Sequence, residues 1–246
     1  MARVLIFGAT SAIAAEVAVL HAARGDSLHL IGRDPQKLEA LAERVAGARP
    51  ELTQADFTEL GASEALVQGA IERLGGADVA LIAHGVLGDQ LRSEQDVATA
   101  EQIILANFTS AVALLIPLAN HLEAARGGRI GVITSVAGER GRPRNYTYGA
   151  SKAGLGVYLQ GLRSRLRPAK VAVTTLKLGP VITPMTETHP KNALFARPEQ
   201  VARDIVAAMD ARADEVFVPR RWAAIMPIVR NTPEALFQRL SFLSGR

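Results

Sequence analysis

A tyrosine and a lysine four residues apart form the most informative chemical pair in this 246-residue chain. Tyr148 and Lys152 begin and end the run Tyr-Gly-Ala-Ser-Lys. If the run is helical, both side chains project from one face and can reach the same bound molecule. A phenol titrates near pKa ~10 and a neighbouring cation favours phenolate, so the pair predicts a group that exchanges protons at neutral pH. The same spacing also fits an ordinary solvated helix face.

The composition indicates a folded α/β protein that can position such a pair. Hydrophobic residues make up 48% of the chain and charged residues 21%, which excludes disorder. Cysteine is absent, so disulfides, thiolate zinc sites and cysteine nucleophiles are excluded. The net charge of +4 suits phosphate or anionic-lipid recognition. We expect no nucleic-acid partner, because the chain lacks an arginine-aromatic tract typical of nucleic-acid modules.

Short apolar runs alternate with amphipathic helical patterns along the whole chain. The clearest helical patterns cover residues 36–46, 59–74 and 199–211. Seven runs have the length and composition of buried strands: 3–7, 27–31, 52–54, 78–83, 129–134, 171–176 and 215–218. This alternation predicts a Rossmann-like, doubly wound, mainly parallel seven-stranded sheet with helices on both faces. No composition shift divides the chain, so we expect residues 1–246 to form a single domain.

The apolar run from Val4 to Ala23 invites comparison with a signal or transmembrane segment. It carries Thr10, Ser11 and Glu16, and a strand, a turn and a helix explain it better. We therefore expect a cytoplasmic protein.

A turn of small residues follows the first predicted strand and opens the first helix. Gly8 permits a tight turn, and the free amides at the helix start can bind a phosphate. Ligands of parallel sheets bind beyond the carboxyl ends of the strands, where this turn lies. A small-residue turn that only links a strand to a helix is an equally good alternative.

The end of the second strand, at Gly32 and Arg33, lies where the adenosine ribose of a dinucleotide would bind. An acidic residue there binds the ribose 2′-hydroxyl, whereas an arginine suits a 2′-phosphate. Gly32 and Arg33 therefore favour NADP over NAD. The alternative is a solvated Arg33, with Asp34 capping the helix that starts at Pro35.

Asp56 and Phe57 follow the third strand at the same edge of the sheet. Asp56 is placed to reach the adenine, but it could equally cap the helix predicted to begin near Glu59.

The order and spacing of these motifs resemble the short-chain dehydrogenase/reductase family from Arg3 to about Val218. Five motifs carry the resemblance: the Gly8 turn, Asp56 after the third strand, Asn107 in a long helical segment, Ser135 after the fifth strand with the Tyr148-x-x-x-Lys152 motif, and residues 179–183, which resemble a Pro-Gly-x-x-x-Thr segment. The resemblance implies a dinucleotide-binding reductase that forms a homodimer or homotetramer and needs no metal.

The resemblance also implies roles for four side chains. Tyr148 would donate a proton to the oxygen of a small-molecule carbonyl substrate, and Ser135 would polarise that oxygen by hydrogen bonding. Lys152 would hold the nicotinamide ribose and favour the Tyr148 phenolate. Asn107 would fix a local helix distortion and a water that leads protons towards Lys152. The alternatives are an N-cap role for Ser135 and a helix-interior hydrogen bond for Asn107.

The implied cofactor is NADP or NAD, which supplies hydride to carbon. Its expected contacts are Gly8, Thr10, Ser11, Ala12, Ile13, Arg33, Asp56, Phe57, Ala83, His84, Gly85, Tyr148, Lys152, Gly179, Val181 and Thr183.

Three departures from the family pattern bear on these contacts. Ala12 and Ala14 stand where the family commonly has glycine, so pyrophosphate packing could shift. Residues 82–85, Ile-Ala-His-Gly, replace Asn-Asn-Ala-Gly, and His84 is expected to be structural rather than catalytic. Leu178 replaces the proline that usually precedes the glycine of the nicotinamide-side segment.

A narrower resemblance concerns the substrate. Residues 83–89, 135–140 and 148–155 look like the decaprenylphosphoryl-2-keto-erythro-pentose reductase branch, whose members reduce a keto sugar attached to a polyprenyl phosphate. This implies a lipid-linked carbonyl substrate. The segment between Thr183 and Arg197, with Pro184, Met185, His189 and Pro190, is the expected substrate lid.

The final residues, 219–246, read as a basic and apolar extension. Pro219-Arg220-Arg221-Trp222 leads into an apolar run and then a mixed helix over 233–243. The arginines and apolar groups suit peripheral contact with a membrane surface, whereas the charges and Pro227 argue against a spanning helix. An oligomer contact or an active-site lid is the alternative. For the whole protein, the alternative to a reductase is a dinucleotide-binding sensor or scaffold without turnover.

Overall fold

The computed structural model describes residues 1–187 and 191–240. Its sheet has seven parallel strands in the order β3-β2-β1-β4-β5-β6-β7. The strands are β1 (Arg3–Phe7), β2 (Ser27–Gly32), β3 (Glu51–Gln54), β4 (Val79–Ile82), β5 (Arg129–Ser135), β6 (Ala172–Leu178) and β7 (Glu215–Val218). The predicted Rossmann-like, doubly wound fold is confirmed, and each strand lies within two residues of its expected bounds.

Helices connect the strands and cover the sheet. They are α1 (Ala12–Ala23), α2 (Pro35–Arg44), α3 (Ser63–Leu74), α4 (Gln90–Ser93), α5 (Val97–Ile104), α6 (Ser110–Ala125), α7 (Tyr146–Leu166), α8 (Pro198–Asp210), α9 (Trp222–Asn231) and α10 (Glu234–Phe237). The helix expected from Glu59 begins as a 3₁₀ turn at Leu60–Ala62 and becomes α-helical only at Ser63. The helix expected over 233–243 is α-helical over Glu234–Phe237, and residues 241–246 lie outside the described residues.

Both faces of the sheet are buried, as the continuous apolar strands require. Within β1, Val4 and Ile6 face the core shared with α1 and α8, whereas Leu5 and Phe7 face the core shared with α3 and α6. This alternation follows from the two-residue period of a strand. The sheet is therefore a rigid middle layer whose carboxyl edge can hold a site.

One apolar stretch, Val97–Ala125, is long enough by composition to cross a membrane. It comprises α5, a π-helical turn and α6. In α6, Leu114, Leu115 and Leu118 are fully buried in the core under the sheet. The length and hydrophobicity of this stretch are therefore those of a core helix.

The chain reverses its direction of winding between β1 and β4, because β1 pairs with β2 on one side and with β4 on the other. The connections that leave β1 and β4 diverge to opposite faces, which opens a crevice beyond their carboxyl ends. Gly8 and Gly85 both follow strands at this point.

Candidate active site

The turn after β1 is built for close approach and for anion binding. Gly8 has φ +84°, and a Cβ there would lie 2.6 Å from the backbone nitrogen of His84. Ser11 caps α1 by accepting a hydrogen bond from the Ala14 N–H. The amides of Ala12 and Ile13 in the same first turn have no acceptor among the described residues. These amides fit the phosphates of a dinucleotide.

The two alanines that depart from the family pattern do not disturb this helix start. The helix begins at Ala12, as expected, and Ala14 is fully buried in the core that α1 shares with α8. The methyl group of Ala14 is therefore used in packing and points away from a phosphate.

At the end of β2, Asp34 has the capping role considered as an alternative. Its side chain accepts a hydrogen bond of 3.1 Å from the backbone N–H of Lys37 at the start of α2. Arg33 is exposed, and within 1–187 and 191–240 its guanidinium has no hydrogen bond or ion pair. The free cation and the engaged carboxylate present a positive charge at the expected ribose position.

Asp56 does not cap the helix that follows it, and Phe57 is a buried ring. Asp56 Oδ1 accepts hydrogen bonds from Thr58 N–H at 2.9 Å and Thr58 Oγ1 at 2.7 Å, and these bonds lower the pKa of the Asp56 carboxyl. Asp56 therefore closes a local turn well before α3, and the alternative cap is wrong. The Phe57 ring is buried and packs against the His84 ring, with ring centroids 4.5 Å apart, so Phe57 helps to hold His84 in place.

His84 is a structural histidine, as expected. Its Nε2 lies 2.8 Å from Ser110 Oγ, and Ser110 Oγ donates to the carbonyl of Ala106. The hydroxyl must therefore accept from Nε2–H, which leaves Nδ1 as a buried acceptor without a partner among the described residues. Burial lowers the pKa of His84 to about 3, and the charge of Lys152 contributes, so the ring is neutral at physiological pH.

Three expected catalytic side chains meet at the ends of β5 and α7. Tyr148 and Lys152 share one face of α7, and Lys152 Nζ lies 5.8 Å from the centre of the Tyr148 ring. Ser135 is the last residue of β5, and its side chain lies close enough to the Tyr148 phenol to influence the pKa of that phenol. Lys152 is buried and donates a hydrogen bond of 3.2 Å to the Ile133 carbonyl. This last contact could not be predicted from the sequence.

The pKa of Tyr148 differs from the sequence-based expectation. Burial raises the pKa of the phenol, and hydrogen bonding to Ser135 opposes the rise. The expected lowering of the Tyr148 pKa by the charge of Lys152 is not found. Desolvation of the phenol is the largest effect on this pKa. At neutral pH Tyr148 is therefore protonated and able to donate a proton.

Ser135 also has the N-cap role that was left open. Its Oγ accepts from Ala137 N–H at 3.1 Å and donates to the Leu178 carbonyl at 3.4 Å. The second bond is long and therefore weak. Its proton can be redirected to a substrate oxygen while the cap remains in place.

Asn107 lies in a π-helical turn, Leu105–Thr109, which matches the helix distortion implied by the resemblance. Its side chain accepts from Val86 N–H and donates to Val86 C=O, both at 2.8 Å. A Cβ at Gly85 would lie 2.5 Å from Asn107 Oδ1, so only glycine fits this approach. Asn107 thus fastens the segment after β4 to the helix, and the simple helix-interior bond is not observed.

The segment between Ser135 and Tyr148, residues 136–147, is named here the catalytic loop. A Cβ at Gly138 would lie 2.8 Å from the backbone nitrogen of Ala153, so the loop packs directly on α7. Arg140 donates to the carbonyls of Val229 and Thr232 and pairs with Glu234. The loop is therefore held by α7 on one side and by the C-terminal segment on the other.

The described part of the extension, residues 219–240, packs on this loop. Its buried side chains and Val136 form one small cluster: Trp222, Met226, Val229 and Phe237. These apolar groups were the main support for membrane contact, and in this structure they are unavailable to lipid. Sequence reasoning noted their hydrophobicity and missed the surface that covers them.

The nicotinamide-side segment follows β6. Gly179 is packed against the Trp222 indole, Val181 is buried and bridges to Ala196, and Thr183 N–H donates to Thr186 Oγ1 at 3.2 Å. Leu178, which replaces the usual proline, is buried and ends β6. Of the expected lid, His189 and Pro190 lie outside the described residues.

Lys152 predicts a measurable pH dependence of stability. Its pKa falls from 10.5 to about 8 through burial, so between these values the unfolded chain binds a proton that the folded chain has released. The free energy of unfolding without cofactor should therefore rise with pH across this window, by about 3 kcal/mol in full. Urea unfolding of the wild type and Lys152→Met measures it, and parallel pH profiles would contradict the buried-lysine explanation.

Comparison with known proteins agrees with this geometry. A model of the family described as short chain dehydrogenase matches residues 2–193. An uncharacterized oxidoreductase of Mycobacterium tuberculosis (strain ATCC 25618 / H37Rv) is 35% identical over 242 residues, covering 97% of each chain. An uncharacterized oxidoreductase of Streptomyces coelicolor is 33% identical over 238 residues, covering 96% of this chain and 94% of the relative.

Solved structures give the same result. A short chain dehydrogenase/reductase family protein, 27% identical, superposes with a TM-score of 0.80 and covers 88% of this chain and 94% of its own. Levodione reductase, 22% identical, has a TM-score of 0.82 with 91% and 98% coverage and supports the fold. The chain belongs to the short-chain dehydrogenase/reductase family. It is an oxidoreductase of that family, whose members generally bind NAD(P).

The residues present fit such a cofactor. The Gly8 turn offers free amides at one end of the crevice, and at the other end Gly85 lets the backbone approach Asn107 and Lys152 closely. When bound, a reduced nicotinamide supplies hydride.

Proposed function

We propose that this enzyme reduces a carbonyl group to an alcohol, with Tyr148 as the proton donor. The observation that carries the proposal is the partly buried, protonated phenol of Tyr148 beside Ser135 and Lys152. A protonated acid suits reduction, in which the carbonyl oxygen gains a proton as the carbon gains hydride.

Each of the three side chains has a distinct task in this proposal. The Ser135 hydroxyl donates to the carbonyl oxygen and stabilises its developing negative charge. Tyr148 transfers its phenolic proton to that oxygen and becomes phenolate. The ammonium of Lys152 then stabilises the phenolate, and its pKa of about 8 lets it return a proton near neutral pH.

Asn107 supports this arrangement indirectly. By holding Val86 through two hydrogen bonds, it fixes the segment that carries Gly85 beside Lys152. In this proposal Asn107 also fixes a water that leads protons towards Lys152.

The preferred cofactor is NADP in this proposal. The support is the exposed, unpaired Arg33 together with the engagement of Asp34 in capping α2. A guanidinium binds a 2′-phosphate through paired charge-assisted hydrogen bonds.

Replacing Arg33 tests the cofactor assignment. Arg33→Asp should reverse the preference between NADPH and NADH, with a loss of about 10- to 100-fold in kcat/KM for NADPH, because a carboxylate repels the 2′-phosphate and accepts from a 2′-hydroxyl. Arg33→Lys retains a cation and should keep the preference. Steady-state kinetics with both cofactors give the answer, and an unchanged ratio in Arg33→Asp would remove the support for NADP.

The substrate proposal is narrower. A keto sugar on a polyprenyl phosphate would place apolar chain near the segment after β6, where the exposed apolar side chains are Ile182, Met185 and Leu194. We propose a cytoplasmic homo-oligomer that meets such a substrate. The burial of Trp222, Met226, Val229 and Phe237 argues against deep insertion of residues 219–240 into a membrane.

A cofactor-consumption screen tests the reaction itself. NADPH and NADH are supplied with carbonyl compounds that include a lipid-linked keto sugar, and substrate-dependent oxidation is the expected result. Cofactor binding without oxidation across the whole panel would favour the sensor or scaffold alternative.

A further inference from the structure

Arg142, a partly buried cation of the catalytic loop, takes no part in the proposed reduction. Its Nε is buried without a hydrogen-bond partner in the described parts of the chain. Across residues 1–187 and 191–240 its guanidinium also forms no ion pair. Burial lowers the pKa of Arg142, and no carboxylate opposes the shift.

A neighbour two residues away shows that this situation is specific to Arg142. Arg140 donates to Val229 and Thr232, pairs with Glu234 and lies 3.9 Å from the centre of the Phe237 ring. Both terminal nitrogens of the Arg140 guanidinium therefore have partners within the fold. By contrast, the Arg142 guanidinium has no hydrogen bond or ion pair among the described residues.

Leaving a guanidinium partly desolvated and unpaired is unfavourable, because an arginine keeps its charge in proteins. Native proteins rarely retain buried polar atoms without partners, and an absent ligand is one established reason for such an atom. An anion at Arg142 would remove this cost. Carboxylates and phosphates match the planar donors of a guanidinium with two oxygens, and the Nη groups of Arg142 are the donors that remain accessible.

The position of Arg142 points to the substrate rather than to the cofactor phosphates. The catalytic loop joins Ser135 to Tyr148 and is fixed at its far end, where Thr147 N–H donates to Gln90 Oε1 at 3.0 Å. Arg33, the candidate for a 2′-phosphate, follows β2, which lies three strands from β5. That separation is about 14 Å at a strand spacing of ~4.8 Å.

We propose that Arg142 binds an anionic group of the substrate, a phosphate or a carboxylate, so that the enzyme selects carbonyl compounds that carry one. The inference rests on the proposed carbonyl reduction for its kinetic consequences. Arg142 is then a specificity-determining residue, because it contacts the substrate away from the reacting carbonyl.

A second basic region of the protein could also bind an anion. Arg197, Arg203 and Arg221 line an open cavity of about 630 Å³ at the start of α8. Arg203 and Arg221 already donate to Gln200 and to the carbonyl of Leu194, respectively. This cavity therefore serves as the comparison site in the test.

The first experiment measures binding and needs no turnover. With saturating NADP⁺ occupying the cofactor site, the melting temperature is followed in inorganic phosphate and in chloride of equal ionic strength. Phosphate should stabilise the wild type, Arg144→Met and Arg203→Met, and this stabilisation should be lost in Arg142→Met. Arg144 is an exposed arginine of the same loop and so is the matched control. Loss of the effect in Arg203→Met with retention in Arg142→Met would overturn the proposal.

The second experiment measures selectivity with matched ketones. Dihydroxyacetone phosphate is compared with dihydroxyacetone, and levulinate with its methyl ester, so that the two pairs distinguish phosphate from carboxylate. The wild type should favour the charged member of at least one pair, and Arg142→Met should reduce that preference about 10- to 100-fold, mainly through KM. Arg142→Lys should recover part of it. Equal preferences in wild type and Arg142→Met would reject the role.

The two experiments separate this inference from the proposed function. If no ketone is reduced while phosphate protection is lost only in Arg142→Met, the anion site stands and carbonyl reduction of these compounds fails. If ketones are reduced but Arg142→Met changes neither measurement, the reductase stands and the anion site fails.

Discussion

Tyr148→Phe should lower kcat about 10²- to 10⁴-fold, the range that a positioned general acid supplies. The change removes one hydroxyl and keeps the ring beside Lys152. Because hydride transfer to carbon would then leave the oxygen without its proton donor, turnover should fail while cofactor binding persists. Single-turnover kinetics and cofactor titration measure the two properties separately.

Tyr146→Phe is the matched control for this variant. Tyr146 lies two residues earlier on α7, and 45% of its surface is exposed. It should retain wild-type turnover. Near-normal turnover in Tyr148→Phe would reject Tyr148 as the proton donor, whatever the behaviour of the control.

Ser135→Ala should lower kcat about 10²- to 10³-fold, the usual cost of removing one donor to a developing oxyanion. The hydroxyl has a second task, because it caps the start of the catalytic loop through Ala137 N–H. Loss of this cap should also reduce the free energy of unfolding by about 1 kcal/mol. The kinetic loss should greatly exceed the loss of stability.

Ser135→Thr distinguishes the two tasks of the hydroxyl. Threonine keeps both the cap and the donor, so stability and a large part of the turnover should return. Urea unfolding and kcat are measured on the same three proteins. A full loss of kcat in Ser135→Thr with restored stability would show that the side-chain volume, and not the donor, limits the reaction.

The strands were predictable because a parallel sheet covered on both faces needs continuous apolar runs, such as residues 79–82 and 129–135. The active-site motif was predictable because Tyr148 and Lys152 obey a helical spacing. Local rules of this kind depend on neighbours along the chain. They predicted the main elements correctly and the placement of Tyr148 and Lys152 on one face of α7.

What could not be predicted depends on contacts between distant residues. The raised pKa of Tyr148 comes from the packing of several elements around its ring, whereas the sequence displays only the nearby Lys152. The apolar residues of α9 show that one face must be covered, but amphipathicity does not name the covering surface. The isolation of Arg142 is likewise visible only when its surroundings are known.

The attachment of Arg140 to residues 229–234 has a consequence for the order of folding. These contacts join residues 89 to 94 positions apart, whereas strands β1 and β2 pair within a few tens of residues. Contacts of long sequence separation form late, because the chain must first close a large loop. A nascent chain can therefore complete its nucleotide-binding half early, but the catalytic loop gains its final support only after the last helices have been synthesised.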